Sequence, residues 1–333
     1  MSDSTSEPPA GNPEDIPDFQ LASQPHDAYF KQAFSDPGLA AEFFRSRLPA
    51  PISAAVHWED LTLVPGSFIK RTLQQAHSDL LFSVPAGGQK LLLYLLFEHQ
   101  TTVDRAMPLR LLGYLTEIWI EHERTEGLPL PPVIPFVLHQ GPDSWNVSTH
   151  FTDLVDAPQE IAEALRPFLP SFEYGLLDLS RFEPALQESY PLLRVVLQLM
   201  KLARDQQRVE EFWEWLALQP IRLPDALLML SLWYMYHNDG CLDVEAIVHK
   251  LRHNPGLQNR AMSIAEKLIA KGRGEGREEG LAKGEWIGKI HLLEKLLNAP
   301  VSAKTELESK SLPELEQWFA GLQRDYDARF KSR

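Results

Sequence analysis

The ten residues LLLYLLFEHQ, numbered 91–100, decide how the rest of this sequence is interpreted. Seven apolar residues come first, and Glu98, His99 and Gln100 follow at once. A short, continuous apolar run of large side chains is typical of a strand that is buried on both faces. The sequence therefore predicts a buried strand that carries a carboxylate, an imidazole and an amide to one edge of a sheet.

Composition indicates a soluble globular protein of roughly two domains, because 44% of the 333 residues are hydrophobic and 23% are charged. Cys241 is the single cysteine, so a disulfide within the chain is impossible and a cytoplasmic location is expected. The N-terminus lacks the pattern of a signal peptide, and no apolar run approaches the ~18 residues that cross a bilayer, so no membrane partner is expected. A net charge of -14 argues against a general polyanion binder.

Four regions are predicted along the chain. Residues 1–24 are rich in Ser, Pro and acids and are expected to be a disordered tail. Residues 25–188 alternate helical and strand patterns and predict an α/β domain, whereas residues 189–270 are helical throughout. Residues 271–333 hold a Gly/Lys/Glu repeat followed by C-terminal helices.

Within the α/β domain the expected order is helix, three strands, helix, strand. HDAYFKQAF (26–34) opens with a helix, and a second helix follows the break at Asp36-Pro37-Gly38. SFIKRTLQQ (67–75), SDLLFSV (78–84) and KLLLYLLFEHQ (90–100) are predicted strands, the last two joined by a hairpin turn at residues 86–89. A helix beginning near Met107 and a strand in PPVIPFVLHQG (131–141) complete the domain.

The hairpin predicts that two carboxylates converge. If its turn centres on Gly87-Gly88, Asp79 faces Leu96, and Glu98 and Gln100 lie on the same face of the sheet as Asp79. Two neighbouring carboxylates raise each other's pKa unless a cation lies between them. We therefore expect Asp79 and Glu98 to bind Mg²⁺ or Mn²⁺, because hard oxygen ligands suit these ions. The His99 backbone carbonyl is a further candidate ligand, although its side chain points to the other face; alternatively, Glu98 simply emerges into solvent.

Several motifs in order resemble one known group of nucleases. An acid, about twenty residues, and then Glu-x-Lys within an α-β-β-β-α-β order is the pattern of the PD-(D/E)XK superfamily. SDLLF (78–82) and FEHQTTVDRAMPLRLLGYL (97–115) resemble its recombination-promoting nucleases, also called putative transposases. HDAYFKQAF resembles the group's opening helix and VIPFVLHQG (133–141) its next core strand, so the resemblance spans roughly residues 25–230.

The resemblance implies a restriction-endonuclease-like core, an α-β-β-β-α-β mixed sheet at 25–188, followed by a helical C-terminal region. Asp79 and Glu98 would hold the metal, and Gln100 stands where the wider superfamily has Lys, which leaves the proton acceptor open. The chain also departs from the group at His139-Gln140-Gly141, where Tyr-x-Gly is more usual.

Other charged residues are candidates for supporting roles. Asp27 and Lys31 share one helix face at a spacing of four, either as groups behind the active site or as a surface ion pair. Arg110 and Tyr114 have the same spacing, and Arg110 is expected to clamp a phosphate or to pack over the carboxylates. Arg105, Lys70 and Arg71 are candidate phosphate contacts or ordinary solvated charges.

Together these features predict a metal-dependent DNA endonuclease, which the resemblance links to DNA recombination or mobile elements. The alternative is a catalytically inactive module that uses the same fold to bind nucleic acid or protein. No nucleotide-binding or other organic-cofactor motif is recognisable.

A homodimer is also expected, because double-strand cleavage by a fold with one metal site needs two copies. Its contacts are expected from about residue 260 onward. There, glycines recur every four residues from Gly272 to Gly288, either as a close helix–helix contact or as a flexible linker.

Overall fold

The computed structural model describes residues 25–65, 80–87, 91–181, 189–203, 206–237 and 244–330. The predicted N-terminal tail (1–24), the predicted strand at 67–75 and the candidates Lys70, Arg71 and Asp79 lie outside the described residues.

Three helices open the described chain. They are α1 (Pro25–Phe34), α2 (Pro37–Arg47) and α3 (Ala50–Ala55). The break between α1 and α2 is confirmed, because the Asp36 side chain accepts a hydrogen bond from the Leu39 backbone N–H at 2.8 Å and so caps α2. Pro37 fits the first position of α2, where no intrahelical donor is needed.

A five-stranded mixed sheet follows, in the order β1-β2-β3-β4-β5. Its strands are β1 (Thr62–Leu63), β2 (Leu80–Ala86), β3 (Leu91–Gln100), β4 (Val133–His139) and β5 (Gly175–Asp178). β1, β2 and β3 are antiparallel, whereas β3, β4 and β5 are parallel. The predicted helix of 104–124 is α4 (Met107–Thr125), which supplies the crossover that a parallel β3–β4 pair requires. The α/β class is confirmed.

The predicted register of the hairpin is wrong by two residues. Leu96 pairs with Leu81 rather than with Asp79, and Ala86 pairs with Leu91. The reason is the turn: β3 begins only at Leu91, which pairs with Ala86, so the connection is the four residues 87–90 instead of a two-residue turn. An even loop length preserves parity, and the face assigned to Leu96, Glu98 and Gln100 is therefore unchanged.

The two faces of the sheet bury different cores. One face packs against α4, with Leu81, Leu96, Met107, Leu111, Ile118 and Val137 among the buried residues. The other packs against α1 and α2 through aromatic rings, including Phe30, Phe34, Phe43, Phe44, Phe97 and Phe136. β3 thus lies between two layers of helices, which explains its continuous apolar run.

The remaining described elements are helical apart from β5 and short 3₁₀ turns. They are α5 (Ala162–Leu165), α6 (Pro191–Leu202), α7 (Gln206–Ala217), α8 (Asp225–His237), α9 (Val244–Lys250), α10 (Pro255–Leu297), α11 (Lys304–Glu308) and α12 (Leu312–Phe330). Trp213, Leu230 and Trp233, large apolar side chains of α7 and α8, are buried. They therefore pack within the chain instead of forming a free dimer surface.

The described residues up to Ala265 form one compact unit, and those from Glu266 form a second. In the second unit, α10, α11 and α12 share a small core of Ile287, Ile290, Leu307 and Leu315. The predicted boundary at 188/189 stays a prediction.

The glycine repeat lies within α10, so the expectation of a flexible linker is wrong. Packing at Ile287 and Ile290 and an ion pair between Glu285 and Lys289 support this part of the helix. A Cβ added at Gly280, Gly284 or Gly288 would meet no atom within 4 Å, so these three glycines make no close backbone contact in the described chain.

Candidate active site at the end of the third strand

Glu98 is the centre of the candidate site and is fully buried. It lies beside Val137 of β4, one residue after the last described β2–β3 pair, Leu80 with Phe97. Its Oε1 accepts hydrogen bonds from Gln100 Nε2 at 2.6 Å and from the Arg110 guanidinium. Its Oε2 is buried, and no described residue offers it a hydrogen bond. A charged, buried oxygen without a partner is costly, so this arrangement favours an additional cation.

Arg110 stands at the start of α4 and joins two carboxylates. Besides Glu98 it donates to Asp104 Oδ2 at 2.9 Å, while Asp104 Oδ1 accepts from the Ala106 N–H at 2.8 Å. Partial burial lowers the pKa of Arg110, but Tyr114 and Asp104 outweigh that effect and leave its pKa raised, so the guanidinium stays charged. Its carbon Cζ lies 5.9 Å from the centre of the Tyr114 ring. The structure thus brings the predicted pair Arg110 and Tyr114 to Glu98.

Asp104 was not predicted from sequence. An aspartate in the turn before a helix is common, and only the geometry shows that its second oxygen shares Arg110 with Glu98.

Gln100 connects two oxygens that were predicted as metal ligands. Its amide nitrogen donates to Glu98 Oε1 at 2.6 Å and to the His99 carbonyl at 2.9 Å. Both partners are acceptors, which determines that the nitrogen and not the oxygen of the amide faces them. An amide does not act as a base at neutral pH, so Gln100 orients its neighbours and does not take up a proton.

The donor set fits a divalent cation of the Mg²⁺ type. Carboxylate and carbonyl oxygens are the ligands such ions prefer, and Glu98 Oε2 is an oxygen still lacking a described partner. In the described part of the chain, the acidic and imidazole side chains of His57, Glu59 and Asp60 form another group with ligand spacing, but all three are exposed.

His99 lies on the opposite face of β3, as parity predicts, and is held from both sides. Its Nδ1 lies 2.6 Å from Asp27 Oδ1, its Nε2 lies 2.8 Å from Gln140 Oε1, and its ring stacks on Phe30 with centroids 4.9 Å apart. Asp27, His99 and Gln140 are all buried. Asp27 is therefore a residue behind the site and not a surface charge, whereas its pairing with Lys31 stays a prediction.

Gln140 extends this network to the helices that follow the sheet. Its amide nitrogen donates to the Met200 carbonyl at 2.7 Å and to the Tyr234 hydroxyl at 2.8 Å. The Tyr234 hydroxyl also lies 2.5 Å from His26 Nδ1. Because the Gln140 nitrogen faces a carbonyl, its Oε1 must face His99, and His99 Nε2 donates to it. The positions of Gln140 and Tyr234 in the network were not predicted, because no sequence pattern indicates a contact between two residues that are 94 positions apart.

Comparison with known proteins gives a family match over more than half of the chain. A sequence model of the family described as "Putative transposase, YhgA-like" matches residues 24–220. The inactive recombination-promoting nuclease-like protein RpnE of Escherichia coli strain K12 is 26% identical over 293 residues, 87% of this chain and 97% of that protein.

Two further relatives are named as nucleases. The recombination-promoting nuclease RpnA of Escherichia coli strain K12 is 34% identical over 123 residues, 37% of this chain and 42% of its own length. The recombination-promoting nuclease RpnD of Escherichia coli O157:H7 is 33% identical over 129 residues, 38% of this chain and 50% of its own length. The chain thus covers half or less of these two relatives.

No solved structure matches the chain. Within the described residues, none of the helices combines the length and apolar character that a membrane crossing requires.

Proposed function

Because this chain belongs to the YhgA-like transposase family, we propose that it is a metal-dependent endonuclease that hydrolyses phosphodiester bonds in DNA. The names of RpnA and RpnD support a nuclease, and recombination is the process those names specify. Mg²⁺ or Mn²⁺ as the cofactor and a PD-(D/E)XK core as the finer fold class are part of the same proposal.

One observation carries the proposal: a fully buried carboxylate at the end of a central strand keeps one oxygen without a described partner. A structural ion pair alone would be expected to satisfy both oxygens of Glu98. Asp79 immediately precedes Leu80, whose partner Phe97 immediately precedes Glu98. We propose that Asp79 and Glu98 bind the cation together, with the His99 carbonyl as a third ligand.

The bound cation and the side chains around it have separate roles in the proposed reaction. A bound divalent cation supplies a Lewis acid that polarises the phosphodiester and lowers the pKa of a coordinated water. Arg110, charged and one-third exposed, is placed to neutralise a phosphate oxygen while it keeps Glu98 in position. Gln100 orients Glu98 and the His99 carbonyl, and Tyr114 supports the Arg110 guanidinium.

A plasmid-nicking assay with Mg²⁺ or Mn²⁺ tests this proposal. We expect Glu98→Gln and Asp79→Asn to lose cleavage by at least about 100-fold, since each removes a charge from the metal site. Glu59→Gln is the matched control, because it makes the same change within the exposed group near β1 and should cleave like the wild type. Equal cleavage by the wild type and both site variants would exclude the proposed site.

A second candidate function is supported by the name of RpnE, which is called inactive and covers most of this chain. In that case the fold binds nucleic acid or protein without cleaving it. Thermal unfolding with increasing Mn²⁺ discriminates between the two, because a ligand of the folded state raises Tm. A rise that Glu98→Gln abolishes supports the nuclease, whereas no rise at millimolar Mn²⁺ supports the binding module.

We further propose a cytoplasmic homodimer as the working form, because a double-strand cut needs two such sites.

A further inference from the structure

A buried chain of hydrogen bonds runs from α1 through the end of β3 to α8. Its side chains belong to His26, Asp27, His99, Gln140 and Tyr234. Three of these residues, His99, Gln140 and Tyr234, are at most 3% exposed. This hydrogen-bonded network lies on the face of β3 opposite to Glu98, so its side chains do not contact a substrate bound at Glu98.

Gln140 makes two hydrogen bonds to the end of β3. Its backbone N–H donates to the Gln100 carbonyl at 2.7 Å, and its side chain accepts from His99 Nε2 at 2.8 Å. Gln140, which directly follows β4, thereby holds His99 and Gln100, the two residues whose peptide bond carries the proposed ligand oxygen. A small movement of Gln140 would displace Glu98, His99 and Gln100 together.

Tyr234 holds Gln140 in this orientation. The Gln140 amide nitrogen has two hydrogens, which the Met200 carbonyl and the Tyr234 hydroxyl accept at 2.7 and 2.8 Å. The hydroxyl in turn lies 2.5 Å from His26 Nδ1, which can accept its proton. The Gln140 nitrogen also lies 3.3 Å from His26 Nδ1, so without the hydroxyl only this longer approach would remain beside the Met200 carbonyl.

We propose that Tyr234, acting through Gln140 and His99, is a positioning residue that fixes the metal-binding end of β3. The inference rests on the proposed nuclease function and extends it to α8, which lies beyond the range matched by the family model. In metal sites, partners that orient the ligands from behind typically contribute about 10–100-fold to affinity or activity.

Tyr29 provides a matched control in the same interface. Its ring stacks on Tyr234 with centroids 4.3 Å apart, and its hydroxyl lies 3.3 Å from the Ser231 hydroxyl. Tyr29→Phe and Tyr234→Phe therefore each delete one buried hydroxyl between α1 and α8, yet only Tyr234 contacts Gln140. Both variants should lose similar stability, and only Tyr234→Phe should disturb the site.

The full-length protein and both variants are compared by steady-state plasmid cleavage, by Mn²⁺ titration and by amide hydrogen exchange of peptides covering residues 95–101. For Tyr234→Phe we expect kcat to fall and Mn²⁺ to bind more weakly, each by about 10-fold or more, with KM for DNA changed less than about 2-fold. Exchange at the end of β3 should be faster than in the wild type. Tyr29→Phe should match the wild type in all three readouts.

If the wild type cleaves and the two variants behave alike, the inference is wrong while the nuclease proposal stands. If the wild type neither cleaves nor binds Mn²⁺, the nuclease proposal fails, and hydrogen exchange alone decides whether Tyr234 positions β3. Equal exchange in both variants then overturns the inference as well.

Discussion

Replacing Arg110 with methionine should destabilise the metal-free protein by about 3 kcal/mol. Arg110 pairs with a carboxylate that is fully buried, and removing one partner of a buried pair costs roughly 3–5 kcal/mol. We take the lower end because the Arg110 side chain is 36% exposed, so water can partly replace it. Methionine keeps the apolar stem, which limits the loss to the charge and its hydrogen bonds.

Urea unfolding in buffer with EDTA measures this effect. For a domain of this size, about 3 kcal/mol corresponds to a fall in Tm of roughly 6–12 °C. Arg124→Met is the control on the same helix, since the Arg124 side chain is 59% exposed, against 36% for Arg110. We expect that change to leave the free energy of unfolding nearly unchanged.

A double-mutant cycle identifies the cause. In the Glu98→Gln background the buried charge is gone, so Arg110→Met should then cost only about 1 kcal/mol. Saturating Mn²⁺ should restore part of the stability of the single variant, because the cation can replace the guanidinium. A loss as small as that of Arg124→Met, or an undiminished loss in the Glu98→Gln background, would refute the buried-pair reasoning.

Three further outcomes are expected. Gly141→Ala should lower the free energy of unfolding by about 2 kcal/mol, because its Cβ would lie 2.3 Å from the buried His139 ring. Gly113→Ala, in open space on α4, should raise the free energy of unfolding by about 0.5–1 kcal/mol, and urea unfolding compares the two variants. Burial raises the pKa of Tyr174 to about 12, so this residue should cause the free energy of unfolding to fall as the pH rises from about 10 to about 12. Tyr174→Phe should remove this dependence, and an absorbance titration follows the ionisation of the tyrosine. Light scattering should show a dimer for the full chain and a monomer for one ending at Ile269; two monomers at tens of micromolar would exclude the dimer.

The central elements of the sheet could be predicted because their patterns are long and regular. β3, α4 and β4 were expected from a continuous apolar run, a helical period and a second apolar run, and the structure has all three. The four residues of β5 are too few for a period to show. The hairpin register failed for a different reason: two adjacent glycines favour a tight two-residue turn, yet β3 begins only at Leu91, which pairs with Ala86.

The candidate site was predictable only on one face of β3. Alternation places Glu98 and Gln100 together, and helical spacing joins Arg110 to Tyr114. The partners of His99 lie 72 and 41 residues away, at Asp27 and Gln140, and a buried polar contact between distant residues leaves no local pattern. Sequence indicated the residues that face the proposed metal and, behind them, only Asp27, whose contact with His99 it did not show.

The separation between the first and last members of the buried network has a consequence for biosynthesis. His26 and Tyr234 are 208 residues apart, and at about 5–20 residues per second a ribosome needs roughly 10–40 s to pass from one to the other. During that interval the nascent chain holds β3, α4 and β4 but not the helix that completes the hydrogen bonds of Gln140. A site assembled in this order would remain unfinished until α8 emerges from the ribosome, and would acquire its final geometry only then.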